Sequence, residues 1–127
     1  MAIAIPKLVA ASVTLPVQAD TWIDGLASTR IRGSDTSLGI CPAAFYWIYL
    51  KFDVRGLTGV VTNAELRMRR VDGSRPEEIS VYRIIDDSWT ETNLNGPSRP
   101  APLNPSPTEA LANGAVATGY DRWASAA

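Results

Sequence analysis

The stretch ISVYRIIDDSWTE, residues Ile79–Glu91, decides the fold that this sequence predicts. It begins with aliphatic and aromatic residues that are typical of a β-strand, and it breaks at Asp86 and Asp87. Adjacent Asp residues favour a turn, because their side chains hydrogen-bond to the nearby backbone. Trp89 follows as a large apolar group that anchors the segment. The stretch therefore predicts a strand that ends at a corner of an all-β domain.

The strongest strand pattern upstream is FYWIYLKFDV, residues Phe45–Val54. Successive side chains of a strand point to opposite faces, so the even and odd positions separate. The even positions are all apolar, and we expect them to face the core. The odd positions place Phe45, Trp47 and Tyr49 together on the other face, where they meet solvent or a partner.

Weaker strand patterns lie on both sides of this segment. Alternation at Asn63–Val71 and the turn signal Asp72-Gly73 predict a hairpin with Glu78–Ile85. Thr108–Asn113 predicts one helical turn with Thr108 as its N-cap. Three further candidate strands are Leu8–Leu15, Asp20–Asp24 and Thr29–Arg32.

The composition argues against several classes of protein. The chain has 127 residues, a net charge of −1 and no His. Lack of His removes the commonest general base and the nitrogen ligands of zinc sites, so we expect no enzyme and no catalytic residues. The net charge favours neither nucleic acid nor an anionic membrane surface, and no apolar run is long enough to span a bilayer.

Metal and thiol chemistry receive weak support from the sequence. Carboxylates of the type that Ca²⁺ binds are present, but no Asp-x-Asp-x-Asp-Gly loop holds them, so we expect no cofactor and keep Ca²⁺ as the alternative. The single Cys41 has no intramolecular partner; its apolar surroundings favour a buried thiol, with an intermolecular bridge as the alternative. The carboxylates considered for Ca²⁺ are Asp20, Asp24, Asp35 and Asp53.

The two ends of the chain differ from its middle. Residues 1–18 predict an N-terminal arm or added strand, and they lack the basic region of a cleavable signal peptide. Residues 19–102 predict the β-sandwich. Residues 103–127 predict a C-terminal arm rich in Pro and Ala, in which Tyr120 and Trp123 are apolar anchors.

Five strings in order resemble one family, the DNRLRE-type β-sandwich domains, which are related to carbohydrate-binding modules. The resemblance implies a jelly-roll-like antiparallel β-sandwich without catalytic function, and some members of the family bind acidic polysaccharides. The family continues with closing strands that we do not recognise after residue 102, so we expect an arm or a neighbouring chain to supply them. The strings are ADTWI (19–23), YLKFDV (49–54), VTNAELRM (61–68), VYR with DSWTE (81–83 and 87–91) and the segment Pro97–Pro100.

Two functional hypotheses follow from these patterns. The first is a structural subunit of a virion or extracellular surface assembly, such as a capsid-decoration or fibre protein, that self-associates through its arms. The second is a polysaccharide-binding module. For either one, the predicted interface or glycan-stacking residues are Phe45, Trp47, Tyr49, Arg67, Arg69, Tyr120 and Trp123.

Overall fold

The computed structural model of this chain describes residues 11–41, 44–69, 78–101, 112–115 and 120–125. It describes the backbone alone for Arg69 and for residues 78–79, 112–115 and 120–125. The described residues form six β-strands and no α-helix, as the predicted all-β class requires. The strands are β1 (Ala19–Asp24), β2 (Tyr46–Lys51), β3 (Ala64–Arg69), β4 (Glu78–Val81), β5 (Ala112–Ala115) and β6 (Tyr120–Ser125).

All described strand pairs are antiparallel, and they make a sandwich-like arrangement of two-stranded sheets. β1 pairs with β2 so that Ile23 lies opposite Trp47. β3 pairs with β6, and β4 pairs with β5. The predicted all-β antiparallel fold is confirmed.

The predicted hairpin between residues 63–71 and 78–85 is wrong, because β3 and β4 each pair with a strand from the C-terminal region instead. That the N-terminal arm or a neighbouring chain supplies closing strands stays a prediction from sequence. Part of the predicted helical turn is wrong as well, since Ala112 and Asn113 belong to β5. Residues 108–111 of that turn lie outside the described part.

Two other predicted strands, Thr29–Arg32 and Leu8–Leu15, are not observed among the described residues. Thr29–Arg32 is not a strand: the Arg30 and Arg32 side chains fold back to the carboxylate of Asp24, which holds this segment as a loop. The predicted strand Leu8–Leu15 lies partly outside the described residues, and residues 11–15 within it are not in a strand.

The core lies on the face of the β1–β2 sheet that we expected to be outward. Ile23 and Leu94 are fully buried, Tyr49 is 5% exposed, and Trp89 completes the cluster. The prediction that the even positions of β2 face this core is therefore wrong. The reason is that the odd side chains bury their apolar bodies while their polar tips find partners, as the hydroxyl of Tyr49 does by donating to the carbonyl of Pro100 at 3.3 Å.

The corner predicted from Ile79–Glu91 is present. Asp86 accepts hydrogen bonds from the backbone N–H and the hydroxyl of Ser88, at 2.9 and 2.6 Å. Trp89 then enters the core, and its ring meets that of Tyr49 edge-on at 6.0 Å. Asp86 therefore shapes the turn and Trp89 anchors it, as the sequence predicts.

Candidate functional site

The sequence-predicted site residues fall on two separate sheets. Phe45, Trp47 and Tyr49 lie at or within β2, whereas Arg67 and Arg69 lie on β3. Tyr120 and Trp123 lie on β6, where Tyr120 is paired with Arg69 and Trp123 with Leu66. The predicted residues therefore belong to two different sheets, β1–β2 and β3–β6.

The three aromatic residues of the predicted patch have different surroundings. Tyr49 is buried in the core, and this burial raises its pKa to about 12. Trp47 is half-buried and packs against the same core. Phe45 is 50% exposed, so it is the member of this group that offers an apolar surface to a ligand.

The backbone of Phe45 is unusual. Its φ angle is 57°, in the left-handed region that residues other than Gly, Asn and Asp rarely adopt. Such conformations cost free energy, and they persist where the surrounding structure enforces them, often at functional sites. Phe45 adopts this conformation at the entrance to β2, two residues before Trp47.

Arg99 completes a polar and aromatic group with Trp47, and sequence reasoning missed it. The guanidinium carbon of Arg99 lies 5.5 Å from the centroid of the Trp47 ring, within the range of a cation–π contact. Nη1 of Arg99 donates to the carbonyls of Leu26 at 3.3 Å and Gly96 at 2.5 Å. Nε and Nη2 meet no acceptor within the part of the chain that the structure describes.

The guanidinium of Arg99 is held in place, and its Nε and Nη2 are available to donate hydrogen bonds. Such a group suits a carboxylate ligand. Arg presents its donors in a planar fork that matches the two oxygens of a carboxylate. Stacking on Trp47 and the two carbonyl contacts reduce the conformational freedom that Arg99 would otherwise lose on binding. We call Trp47 and Arg99, together with Phe45 two residues before Trp47 in the chain, the arginine site.

The opposite face of the β1–β2 sheet carries a second aromatic and ionic cluster whose groups are paired with one another. The rings of Trp22 and Tyr46 meet edge-on at 5.5 Å, and Arg32 lies 4.7 Å over Trp22. Arg32 donates to Asp24 at 2.5 Å and to Asp35 at 3.3 Å, and Nε1 of Trp22 also donates to Asp35. The hydrogen bond from Arg32 holds the pKa of Asp24 below its usual value. Oδ1 of Asp24 and Nε of Arg32 are buried and have no hydrogen-bond partner among the described residues.

The carboxylates considered for Ca²⁺ do not converge. Asp24 and Asp35 contact Arg32, Asp53 contacts Arg55 at 2.7 Å, and the backbone N–H of Asp20 donates to Glu91. Among the described residues, no group of three or more His, Cys, Asp or Glu side chains is arranged to hold a metal ion.

Cys41 is half-buried. No helix in the described ranges is long and apolar enough to cross a membrane.

The Arg residues predicted on β3 are placed differently from Arg99. Arg67 is exposed, and its Nε donates to the carboxylate of Glu65 at 3.0 Å, an exposed contact of small energetic value. Arg69 stands at the end of β3, opposite Tyr120. A binding role for these residues stays a prediction from sequence.

Comparison with known proteins places the chain in a family. A family model described as carbohydrate-binding module family 96 matches residues 11–120. No curated protein and no solved structure matches the chain. The predicted relationship to carbohydrate-binding modules is confirmed, while the DNRLRE-type assignment stays a prediction.

Proposed function

This chain belongs to carbohydrate-binding module family 96, and we propose that it is a non-catalytic module that binds an acidic polysaccharide at the arginine site. The observation that supports this proposal most directly is Arg99, held on the ring of Trp47 with Nε and Nη2 without partners in the described part of the chain. A uronic-acid carboxylate provides the oxygens that these donors lack. Exposed Phe45 adds an apolar surface for the C–H face of a sugar ring.

The sequence offers Trp47 as an interface or glycan-stacking residue. In the structure Arg99 lies over its ring, and Trp47 packs against the core. In this proposal Trp47 positions Arg99, and Phe45 is the aromatic residue that contacts the ligand. Tyr49, buried below them, supports the sheet.

The hypothesis that the sequence placed first, a self-associating subunit of a virion, gains no support from these findings. Family membership supports the alternative hypothesis, binding of a polysaccharide. Assembly through the arms and a location on a virion or extracellular surface stay predictions from sequence.

The proposal is tested by replacing Arg99 with Gln. A charge-assisted hydrogen-bonding pair contributes roughly 1.5–3 kcal/mol, so Arg99→Gln should weaken binding about tenfold or more. Binding is measured by affinity gel electrophoresis with alginate and with polygalacturonate in the gel. Arg99→Lys keeps the charge without the planar fork and should show an intermediate loss.

The matched control is Arg55→Gln. Arg55 has a side chain that is 85% exposed and is paired with Asp53, so the control removes the same charge from another site. Equal loss of retention in Arg99→Gln and Arg55→Gln would mean that only net charge matters, and it would refute the arginine site. Circular dichroism melts of each variant show whether the fold is kept, since Arg99 also bonds to the carbonyls of Leu26 and Gly96.

A further inference from the structure

A shallow cleft of about 290 Å³ lies between two loops, and none of the residues of the arginine site lines it. One wall comes from the loop after β1, and the other comes from the segment after Trp89. Both apolar and polar groups line it. The lining residues are Ile31, Gly33, Ser34, Glu91 and Thr92.

The two walls of the cleft are held close together. A side chain at Gly33 would overlap the backbone of Glu91, so these two segments are in direct contact. Oε1 of Glu91 accepts a hydrogen bond from the backbone N–H of Asp20 at 2.9 Å, which orients the carboxylate from β1. The N–H of Gly96 donates to the carbonyl of Ser28 at 2.8 Å and joins the same two loops a second time. The cleft is therefore preformed, which lowers the cost of binding.

The groups in the cleft suit a sugar ring. Ile31 is 43% exposed and offers an apolar surface to the C–H face of the ring. Oε2 of Glu91 has no hydrogen-bond partner among the described residues, and a carboxylate oxygen accepts strongly from a hydroxyl group. The hydroxyls of Ser34 and Thr92 add groups that both donate and accept. The volume is at the lower end for small-molecule sites, which fits one or two sugar residues.

The charge in the cleft selects which sugar it takes. Glu91 is the charged member of the lining, and a second carboxylate beside it would be repelled. Acidic sugars are therefore disfavoured here, in contrast to the site of Arg99. Neutral sugars carry hydroxyl groups that donate to Glu91 without this repulsion.

We infer that the cleft between residues 31–34 and 91–92 is a second carbohydrate subsite, one that binds a neutral sugar through Glu91. The inference rests on the proposed carbohydrate-binding function and extends it to a different class of sugar. A module with both sites recognises a polysaccharide that carries acidic and neutral residues.

The test is a titration of the isotope-labelled full chain with neutral hexasaccharides, followed by amide chemical shifts. The probes are cellohexaose, mannohexaose, xylohexaose and laminarihexaose. At least one should shift the amides of residues 31–34 and 91–92. Glu91→Gln keeps an oxygen for the N–H of Asp20 but removes the charge, and it should weaken that binding roughly fivefold.

Glu65→Gln is the matched control, since it removes the same charge from β3, and it should leave the affinity unchanged. The inference is overturned if no neutral hexasaccharide at millimolar concentration shifts the amides of the cleft, or if Glu91→Gln binds as tightly as the wild type. It is also overturned if a hexasaccharide of uronic acid binds in the cleft. Failure of the arginine site appears separately, as unchanged retention of Arg99→Gln on acidic polysaccharide.

Discussion

The aromatic residues Tyr49 and Trp47 of β2 differ in their surroundings. Tyr49 and Trp47 both alternate onto the core face, but the hydroxyl of Tyr49 reaches a backbone carbonyl inside the fold, at Pro100. Its ring is therefore buried without leaving a polar atom unsatisfied. Trp47 stays at the rim of the core, where Arg99 covers it. Of these two neighbours on one face, Tyr49 is buried in the core, whereas Trp47 contacts the guanidinium that we propose as the ligand-binding group.

The burial of Tyr49 predicts its titration. Its pKa is raised from 10 to about 12, chiefly because the charged phenolate loses hydration in the core. Between pH 10 and 12 the unfolded chain loses this proton and the folded chain keeps it. The free energy of unfolding should therefore be unaffected below pH 10 and fall by about 1.4 kcal/mol per pH unit between 10 and 12.

Absorbance at 295 nm as the pH is raised measures this titration directly. The folded protein should show one tyrosine that ionises near pH 12. Tyr49→Phe is the control and should lack that late step. A wild type in which every tyrosine ionises near pH 10 while still folded would contradict the burial of Tyr49.

Among the elements, the corner after β4 contributes most to the core. It leaves β4 at Val81 and sends Trp89 and Leu94 across the inner face of the β1–β2 sheet. Lys51, the last residue of β2, ties this segment down. Its ammonium donates to the carbonyls of Asp87 at 2.5 Å and Trp89 at 2.7 Å, and it lies 4.6 Å over the Trp89 ring.

Replacing Lys51 with Met should loosen this corner. Met keeps the apolar stem but leaves two carbonyls without their donor, so the free energy of unfolding should fall by about 1–2 kcal/mol. Urea denaturation followed by far-UV circular dichroism measures the change. Arg55→Met, at an exposed position, should stay within about 0.5 kcal/mol of the wild type. An equal effect of both substitutions would show that the Lys51 contacts contribute nothing specific.

The elements also show where sequence patterns succeed and fail. Alternation of polar and apolar residues at Asn63–Val71 located β3 (Ala64–Arg69), and the predicted short strand Asp20–Asp24 matches β1. It did not assign the faces of β2, because aromatic side chains occupy both. β5 reads ANGA and was missed: Ala favours helices and Gly weakens strands, so only its pairing with β4 makes it a strand.

The candidate site was predictable only in part. Phe45 and Trp47 stand out as aromatic residues in a strand pattern, and in the fold Trp47 packs against the core while Phe45 is half exposed. Arg99 belongs to a Pro-rich segment with no periodicity, so no local pattern connects it to Trp47, 52 residues earlier. The cleft at Gly33 and Glu91 likewise depends on contact between loops that are distant in sequence.

At the scale of the whole molecule, the C-terminal region completes two of the three described sheets. β5 lies antiparallel to β4 over four residue pairs, and β6 lies antiparallel to β3 over six. The sequence interpretation treats residues 103–127 as an arm whose removal leaves the core folded. The observed pairing leads to the opposite expectation.

Deletion of residues 103–127 should therefore destabilise the monomer. Each cross-strand pair contributes roughly 0.2–1 kcal/mol, so losing ten pairs lowers the free energy of unfolding by several kcal/mol, a large part of the usual total of about 5–15. Thermal melts and hydrogen exchange at β3 and β4 measure the effect. Removal of residues 126–127, which follow β6, is the control. It should change neither the melting temperature nor the hydrogen exchange at β3 and β4. An unchanged melting temperature in the longer deletion would refute the structural role of β5 and β6.

The distance in sequence between Ile23 and Leu94 has a consequence for synthesis on the ribosome. The β1–β2 hairpin can form early, but its inner face stays open to water until the segment that carries Trp89 and Leu94 has emerged. Folding that depends on contacts between distant residues is slow, and exposed strand edges invite aggregation meanwhile. The nascent chain is thus most vulnerable after β2 has been made and before Leu94 arrives, and a pause in translation within that interval would lower the yield of folded protein.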